Sequence, residues 1–185
     1  MTKKLILTSL LFLLISSLSW AQLNDDYLSW SSSKKLTADD FTIKTQRLET
    51  TASFGQFSMS YQVNGFDFLR KNFNKKVHNY FIRSASWIDT TINLRQSLLY
   101  QQTLFDICEI YTRQFRKALK ENRKKIATGT AIAEQLNMEF MAAFSRRRIE
   151  YDRESMYATD ERKQQDWEIQ IQKELADLSD YAYDK

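Results

Sequence analysis

Leu94, Leu98, Gln101, Phe105, Cys108, Thr112, Phe115 and Leu119 follow one another at spacings that alternate between four and three. That is the period of an α-helix, so these side chains share one face of a single long helix, interrupted in polarity only at Gln101 and Thr112. Tyr100, Leu104, Ile107 and Tyr111 add a neighbouring apolar face. A helix apolar over so wide an arc has to be buried in its middle, and the rest of the chain must supply the cover. Thr128-Gly129-Thr130 marks a break. After it, Ile132, Leu136, Phe140, Ala143, Phe144 and Tyr151 predict a second helix, and Trp167, Ile171, Leu175, Leu178 and Ala182 predict a third.

Ahead of the long helix the pattern changes. Residues 28–89 are rich in Ser, Thr, Phe and Tyr, and Phe57-Ser58-Met59-Ser60-Tyr61-Gln62-Val63 alternates as a half-buried strand does. Asn64-Gly65 behind it is a turn signal, which predicts a hairpin of 57–63 with 66–71, and a further strand is predicted over Val77 to Arg83. The expected architecture is α+β, with amino-terminal antiparallel strands packed on a carboxy-terminal set of three long helices.

The first 21 residues stand apart from this plan. Lys3 and Lys4 precede an apolar run from Leu5 to about Leu18, and Ser19-Trp20-Ala21 supplies a small-x-small cleavage pattern. Residues 1–21 therefore read as a secretory signal peptide, too short in its apolar part for the roughly 20 residues that span a bilayer. The mature chain would be a single domain over 22–185, secreted or periplasmic, with no membrane span. It would carry 25 basic and 23 acidic residues, a balance that makes no case for specific nucleic-acid binding. Locally, Arg113 to Arg148 holds ten basic and three acidic residues, and Ile149 to Lys185 five basic and eleven acidic. Helices of opposite charge pair with each other or face solvent. The Arg146-Arg147-Arg148 run is a minor candidate for polyanion contact.

One His and one Cys in the whole chain exclude an intrachain disulfide and any site built from several His and Cys ligands. Neither a glycine-rich phosphate loop nor a G-x-S-x-G elbow is present. Cys108, mid-helix on an apolar face, reads as a small buried hydrophobe rather than as a nucleophile paired with His78. A carboxylate-only cation site from Asp106, Glu109, Asp152 and Glu154 would require two distant segments to meet.

Several segments nonetheless fall into a known order. They are Leu36-Thr37-Ala38-Asp39-Asp40-Phe41, Ser86-Trp87, Tyr100-Gln101-Gln102-Thr103-Leu104-Phe105-Asp106-Ile107 with Glu109 and Arg113, Tyr151-Asp152-Arg153-Glu154-Ser155-Met156-Tyr157-Ala158, and Gln164 with Trp167. Together they resemble the family of predicted bacterial secreted zinc-dependent peptidases. That family carries L-T-x-x-D-F, Ser-Trp, H-E-x-x-H-F-D-I, E-x-x-x-R, Y-D-x-x-T-x-H-G and Q-x-x-W over the same stretch. The resemblance implies a zincin-like scaffold. In the family the two histidines at i and i+4, about 6 Å apart on one helical face, hold a zinc ion together with a third ligand, while the glutamate takes a proton from the metal-bound water.

Here those positions are Tyr100, Leu104, Tyr157 and Gln101. A neutral phenol and an aliphatic chain make no ligand pair, and an amide is not a carboxylate base. The expectation is a degenerate member with no catalytic residue, no bound metal and no cofactor. Tyr100, Leu104 and Tyr157 would fill the former cavity, while Asp106, Glu109 and Asp152 would remain as a possible binding cleft or as retained support. Such a protein would bind an unidentified peptide or protein partner, or serve as a structural component of the envelope. The alternative is a hydrolase acting by a non-zinc or carboxylate-metal route.

Overall fold

Val77, Asn79 and Phe81 are buried, whereas His78, Tyr80 and Ile82 between them are only partly covered. This alternation belongs to a strand with one face on a core and one toward solvent. The computed structural model describes residues 25–44, 52–63, 67 and 73–185. It makes this strand, β4 (Val77–Ile88), the centre of a sheet. The other strands are β1 (Tyr27–Ser29), β2 (Ile43–Lys44) and β3 (Ser53–Tyr61). β3 runs antiparallel to β4 along one side, from Tyr61↔Val77 to Ser53↔Ile88. On the other side lie β1, antiparallel at Ser29↔Tyr80, and β2, parallel at Ile43↔Trp87.

One sequence expectation falls largely outside the described residues, and another is corrected. The partner of the 57–63 segment among the described residues is β4, and the segment predicted to form its hairpin, 66–71, lies outside them apart from residue 67. The sheet is also mixed rather than wholly antiparallel, because the short β2 edge enters parallel to β4. The predicted strand 77–83 extends five residues further, to Ile88, through an irregularity at Gly55. There the Ser86 hydroxyl donates to the Ile82 carbonyl (2.6 Å) and accepts from the Gln56 amide (3.0 Å), so the groups released from the ladder stay bonded.

Three long helices follow: α1 (Leu94–Glu121), α2 (Ala131–Ser155) and α3 (Glu161–Asp177). A single helical turn at Arg123–Ile126 precedes the break at 127–130. α1 is buried from Tyr100 to Ile110 without interruption. Phe57 and Phe81 of the sheet meet its Phe105 at ring distances of 5.5 and 6.2 Å, and Phe144 of α2 closes on Phe57 at 6.0 Å. α2 covers one flank of α1 and keeps a wide solvent side, with Met138 and Ile149 exposed. α3 starts at Asp160, whose carboxylate accepts from the Lys163 amide as an N-cap. It buries Trp167, Ile171 and Leu175, and it ends at Asp177, so Ala182 of the predicted stripe lies beyond it.

The chain after α3 is tied back to the core. Asn74 donates to the Asp180 and Ala182 carbonyls, and the fully buried Arg116 donates to the Tyr181 carbonyl and twice to that of Val77. No helix among the described residues is long and apolar enough to cross a membrane. Residues 1–21, read as a signal peptide, lie outside the described residues.

Candidate functional site

One turn of α1 carries Tyr100, Gln101 and Leu104 side by side. Leu104 and Gln101 are fully buried and Tyr100 nearly so. The Tyr100 hydroxyl donates to Asp152 Oδ1 at 2.7 Å, and Arg148 Nε stands 3.9 Å from the other carboxylate oxygen. Burial is the main force holding the Tyr100 phenol far above its ordinary pKa, and the hydrogen bond to Asp152 adds to it. Desolvation likewise raises Asp152, against the opposing pull of Tyr100 and Arg148. Gln101 donates to the Ser53 hydroxyl (3.0 Å), while its carbonyl oxygen has no partner and lies against Gly55. A Cβ at Gly55 would overlap that oxygen and would stand 2.9 Å from the Phe57 ring, so β3 approaches α1 this closely only with glycine there.

The third member of the set sits on a strained turn. Met156, Tyr157 and Ala158 have φ of 50°, 57° and 62°, three consecutive residues without glycine in the left-handed region. Local bonds hold them there. The Ser155 hydroxyl donates to the Tyr151 carbonyl (2.7 Å) and accepts from the Ala158 amide (3.1 Å), and the amides of Met156 and Tyr157 both reach the Asp152 carbonyl. Ala158 is thereby buried, but Met156 and Tyr157 are pushed outward and are 62% and 51% exposed. Tyr157 meets the Tyr100 ring edge-on at 5.9 Å. It therefore roofs the site at its rim and does not fill the interior as expected, because the left-handed turn points its side chain away from Leu104.

The motif segments converge on Tyr151. Its ring stacks on Tyr100 (5.7 Å) and meets Trp167 edge-on (5.3 Å), and its hydroxyl donates to Gln164. Gln164 in turn donates to Thr103 of α1 and to Glu168. Arg147 covers the Trp167 ring at 4.6 Å and pairs with Glu174 at 2.9 Å. At the other end, the Asp40 carboxylate accepts from the Thr37 amide and hydroxyl and from Arg83, and the Leu36 amide donates to Gln102.

The remaining candidates are separated. Asp106 accepts from the Trp30 indole (2.7 Å) and from Gln102 (2.8 Å), with Lys35 at 3.5 Å, and burial raises its pKa. Glu109 is shared by Arg113 (3.1 Å) and Arg116 (2.8 Å) in the interior. Glu154 accepts from Trp167. Asp106, Glu109, Asp152 and Glu154 thus serve four separate sets of partners, and among the described residues no three of His, Cys, Asp and Glu come together to hold a metal ion. Cys108 is fully buried and its thiol is pushed far up by desolvation, while His78 stacks on Tyr80, so neither is activated by the other. Within the arginine run, Arg147 is taken by Glu174 and Glu150, and Arg148 lies over Phe54 beside Asp152.

Outside this cluster lies an open cleft of about 230 Å³, bordered by Ser53, Ile92, Gln96, Tyr100, Met156 and Tyr157. Sequence reasoning found Tyr100 and Tyr157 but not Ile92, Gln96 or Met156, which belong to no apolar period, and it also missed the buried Arg116. An arginine in the last turns of a helix gives no sign in the sequence that it is enclosed. Compared with protein-family models, with curated proteins and with solved structures, the chain matches none of them.

Proposed function

We propose that this protein is a catalytically inactive, exported relative of a zinc metallopeptidase on a zincin-like scaffold, which binds a peptide or protein segment or serves as a structural part of the envelope. The observation that carries the reading is the hydrogen bond from Tyr100 to Asp152, laid over a buried Leu104 and Gln101. Where the resembling family has two imidazoles and a carboxylate, this chain has a phenol acting as donor, an aliphatic side chain and an amide. That donor set does not fit zinc, which takes deprotonated or neutral-imidazole ligands, and no group at these positions can take a proton from water.

Two further features support the kinship. The residue aligned with the family's glycine, Ala158, has φ of 62°, a conformation natural to glycine. Ser155, aligned with the family's threonine, uses its hydroxyl to close that turn. The left-handed turn, costly without glycine, is thus kept although the ligand it would have carried is a tyrosine.

The test is the zinc and calcium content of purified 22–185 after dialysis against metal-free buffer, with turnover of an unstructured protein substrate measured alongside. Near-zero metal and no cleavage are expected. About one tightly held ion per chain, or cleavage abolished by a chelator, would overturn the reading. A variant combining Tyr100→His, Gln101→Glu, Leu104→His and Tyr157→His tests the scaffold separately. Acquired zinc binding with retained helicity is expected, and a folded variant that binds no zinc would argue against a zincin-like arrangement.

A further inference from the structure

Among the described residues, the face of the sheet turned away from the helices carries no Lys, Arg, Asp or Glu between its ends. Its outward positions are Tyr27 and Ser29 on β1, Gln56, Ser58 and Ser60 on β3, and His78, Tyr80 and Ile82 on β4. The pairings set Ser29 and Ser58 on either side of Tyr80, and Ser60 beside His78. The aromatic rings form a row. Tyr27 meets Tyr80 edge-on at 5.5 Å, Tyr80 stacks on His78 at 5.0 Å, and His78 meets Tyr183 at 5.1 Å. Tyr27, Ser29, Ser58, Ser60 and Tyr80 border an open depression of about 550 Å³. Tyr27 is 45% exposed, and the Ser58 and Ser60 hydroxyls have no hydrogen-bond partner among the described residues. The charges at one end are already engaged, Arg83 with Asp25 and Asp40, and Asp26 with Ser84. Burial, with Arg116 nearby, holds His78 below its ordinary pKa, so it adds no charge at neutral pH.

We propose that this face binds a neutral glycan. Each serine hydroxyl both donates and accepts, which suits a ligand dense in hydroxyl groups. An exposed tyrosine ring offers its negative face to the weakly positive C–H side of a sugar ring. Other ligand classes lack what they need here. A nucleic acid or other polyanion requires cations to displace its counterions, and the described residues of the face supply none between its ends. A lipid surface requires exposed aliphatic side chains, of which the described residues of this face offer only the half-covered Ile82. A peptide strand would use the backbone of a sheet edge rather than the pleated face. The depression is shallow and its anchors few, so affinity on the order of 0.1–1 mM is expected.

The test is a titration of 22–185 with soluble oligosaccharides of β-linked glucose and of β-linked N-acetylglucosamine, followed by amide chemical shifts. Saturable shifts are expected at 27–29, 56–60 and 78–82. Tyr27→Ala and Ser58→Glu should each weaken binding about tenfold while leaving the melting temperature nearly unchanged. The affinity should be the same at about 0.05 and about 0.5 M salt, because no phosphate or carboxylate contact is involved. Failure of both sugars to saturate these amides at tens of millimolar overturns the proposal. So does binding that maps to the Tyr157 cleft, or affinity that collapses with salt.

Discussion

Tyr100→Phe removes one oxygen and leaves the ring, so the stack on Tyr151 and the edge contact with Tyr157 survive and no cavity opens. What is lost is the 2.7 Å donor to Asp152, whose side chain is 19% exposed and whose other partner, Arg148, stands at 3.9 Å. A hydrogen bond to a charged group contributes about 1.5–3 kcal/mol, and partial water access places this one near the lower end. For a chain of this size that is a fall of about 3–6 °C in melting temperature near pH 7.

The pH dependence has a defined sign. Asp152 is raised above its unfolded value of 3.8, chiefly by burial. The folded state therefore holds the proton more tightly, and stability declines as pH rises from 3.8 through the folded value. The Tyr100 hydroxyl opposes that shift, so Tyr100→Phe raises Asp152 further and widens the window upward. The variant should lose most at neutral pH, where the carboxylate is charged. Toward acid, as the carboxylate takes up its proton, the loss should shrink to about 1 kcal/mol or less. Thermal melts of wild type and variant across pH 4 to 8 measure this directly. A loss that is equal at both ends, or larger in acid, would refute the assignment of Tyr100 as donor to an ionised Asp152.

Gly55→Ala should cost about 1–3 kcal/mol in urea denaturation, because the new methyl overlaps Gln101 and the Phe57 ring. Adding Gln101→Ala should restore part of that loss, and a neutral Gly55→Ala would mean that the close approach of β3 and α1 is wrong. Glu109→Gln leaves the enclosed cations of Arg113 and Arg116 without a carboxylate and should cost about 3–5 kcal/mol, enough to leave much of the chain unfolded at 37 °C. A loss below about 1 kcal/mol would show that the trio is hydrated. Ala158→Gly should be neutral or stabilising by up to about 1 kcal/mol, since relief of the left-handed strain opposes the backbone entropy of glycine. A clear destabilisation would contradict the φ of 62°.

Periodicity revealed the helices well, because α1, α2 and α3 each keep an apolar row against a neighbour and an apolar row is a local property. The break at 128–130 was equally plain, since the glycine there lies between two rows out of phase. The sheet was harder to read. The hairpin partner that Asn64-Gly65 suggests for 57–63 lies outside the described residues apart from residue 67. The pairing that is described, with 77–88, whose Val77, Asn79 and Phe81 face the same core, has no signal in the sequence. Pairing across a long connection leaves no trace in a short window. β1 and β2, three and two residues long, are below the length at which alternation can be seen. At the candidate site the sequence reading has Tyr100, Leu104 and Tyr157 packing together; the first two are buried, whereas Tyr157 is not. The three left-handed residues that turn Tyr157 outward contain no glycine to announce them.

The polar residues of α1 account for what a ligand can meet. Gln102 and Asp106 are used by Leu36, Trp30 and Lys35, whereas Glu109, Arg113 and Arg116 are used by one another and by carbonyls of Leu175, Val77 and Tyr181. Thr103 is held by Gln164, and Tyr100 by Asp152. A buried polar group already bonded inside the fold has little left to offer a newcomer, because each new bond would displace an existing one. The Gln101 carbonyl is the exception, and it is fully buried beside Gly55. What this site leaves accessible is therefore its rim, where Ile92, Met156 and Tyr157 stand exposed over a closed floor. A ligand seated there would meet apolar surface and shape, because the floor of Tyr100, Gln101 and Leu104 beneath it is packed.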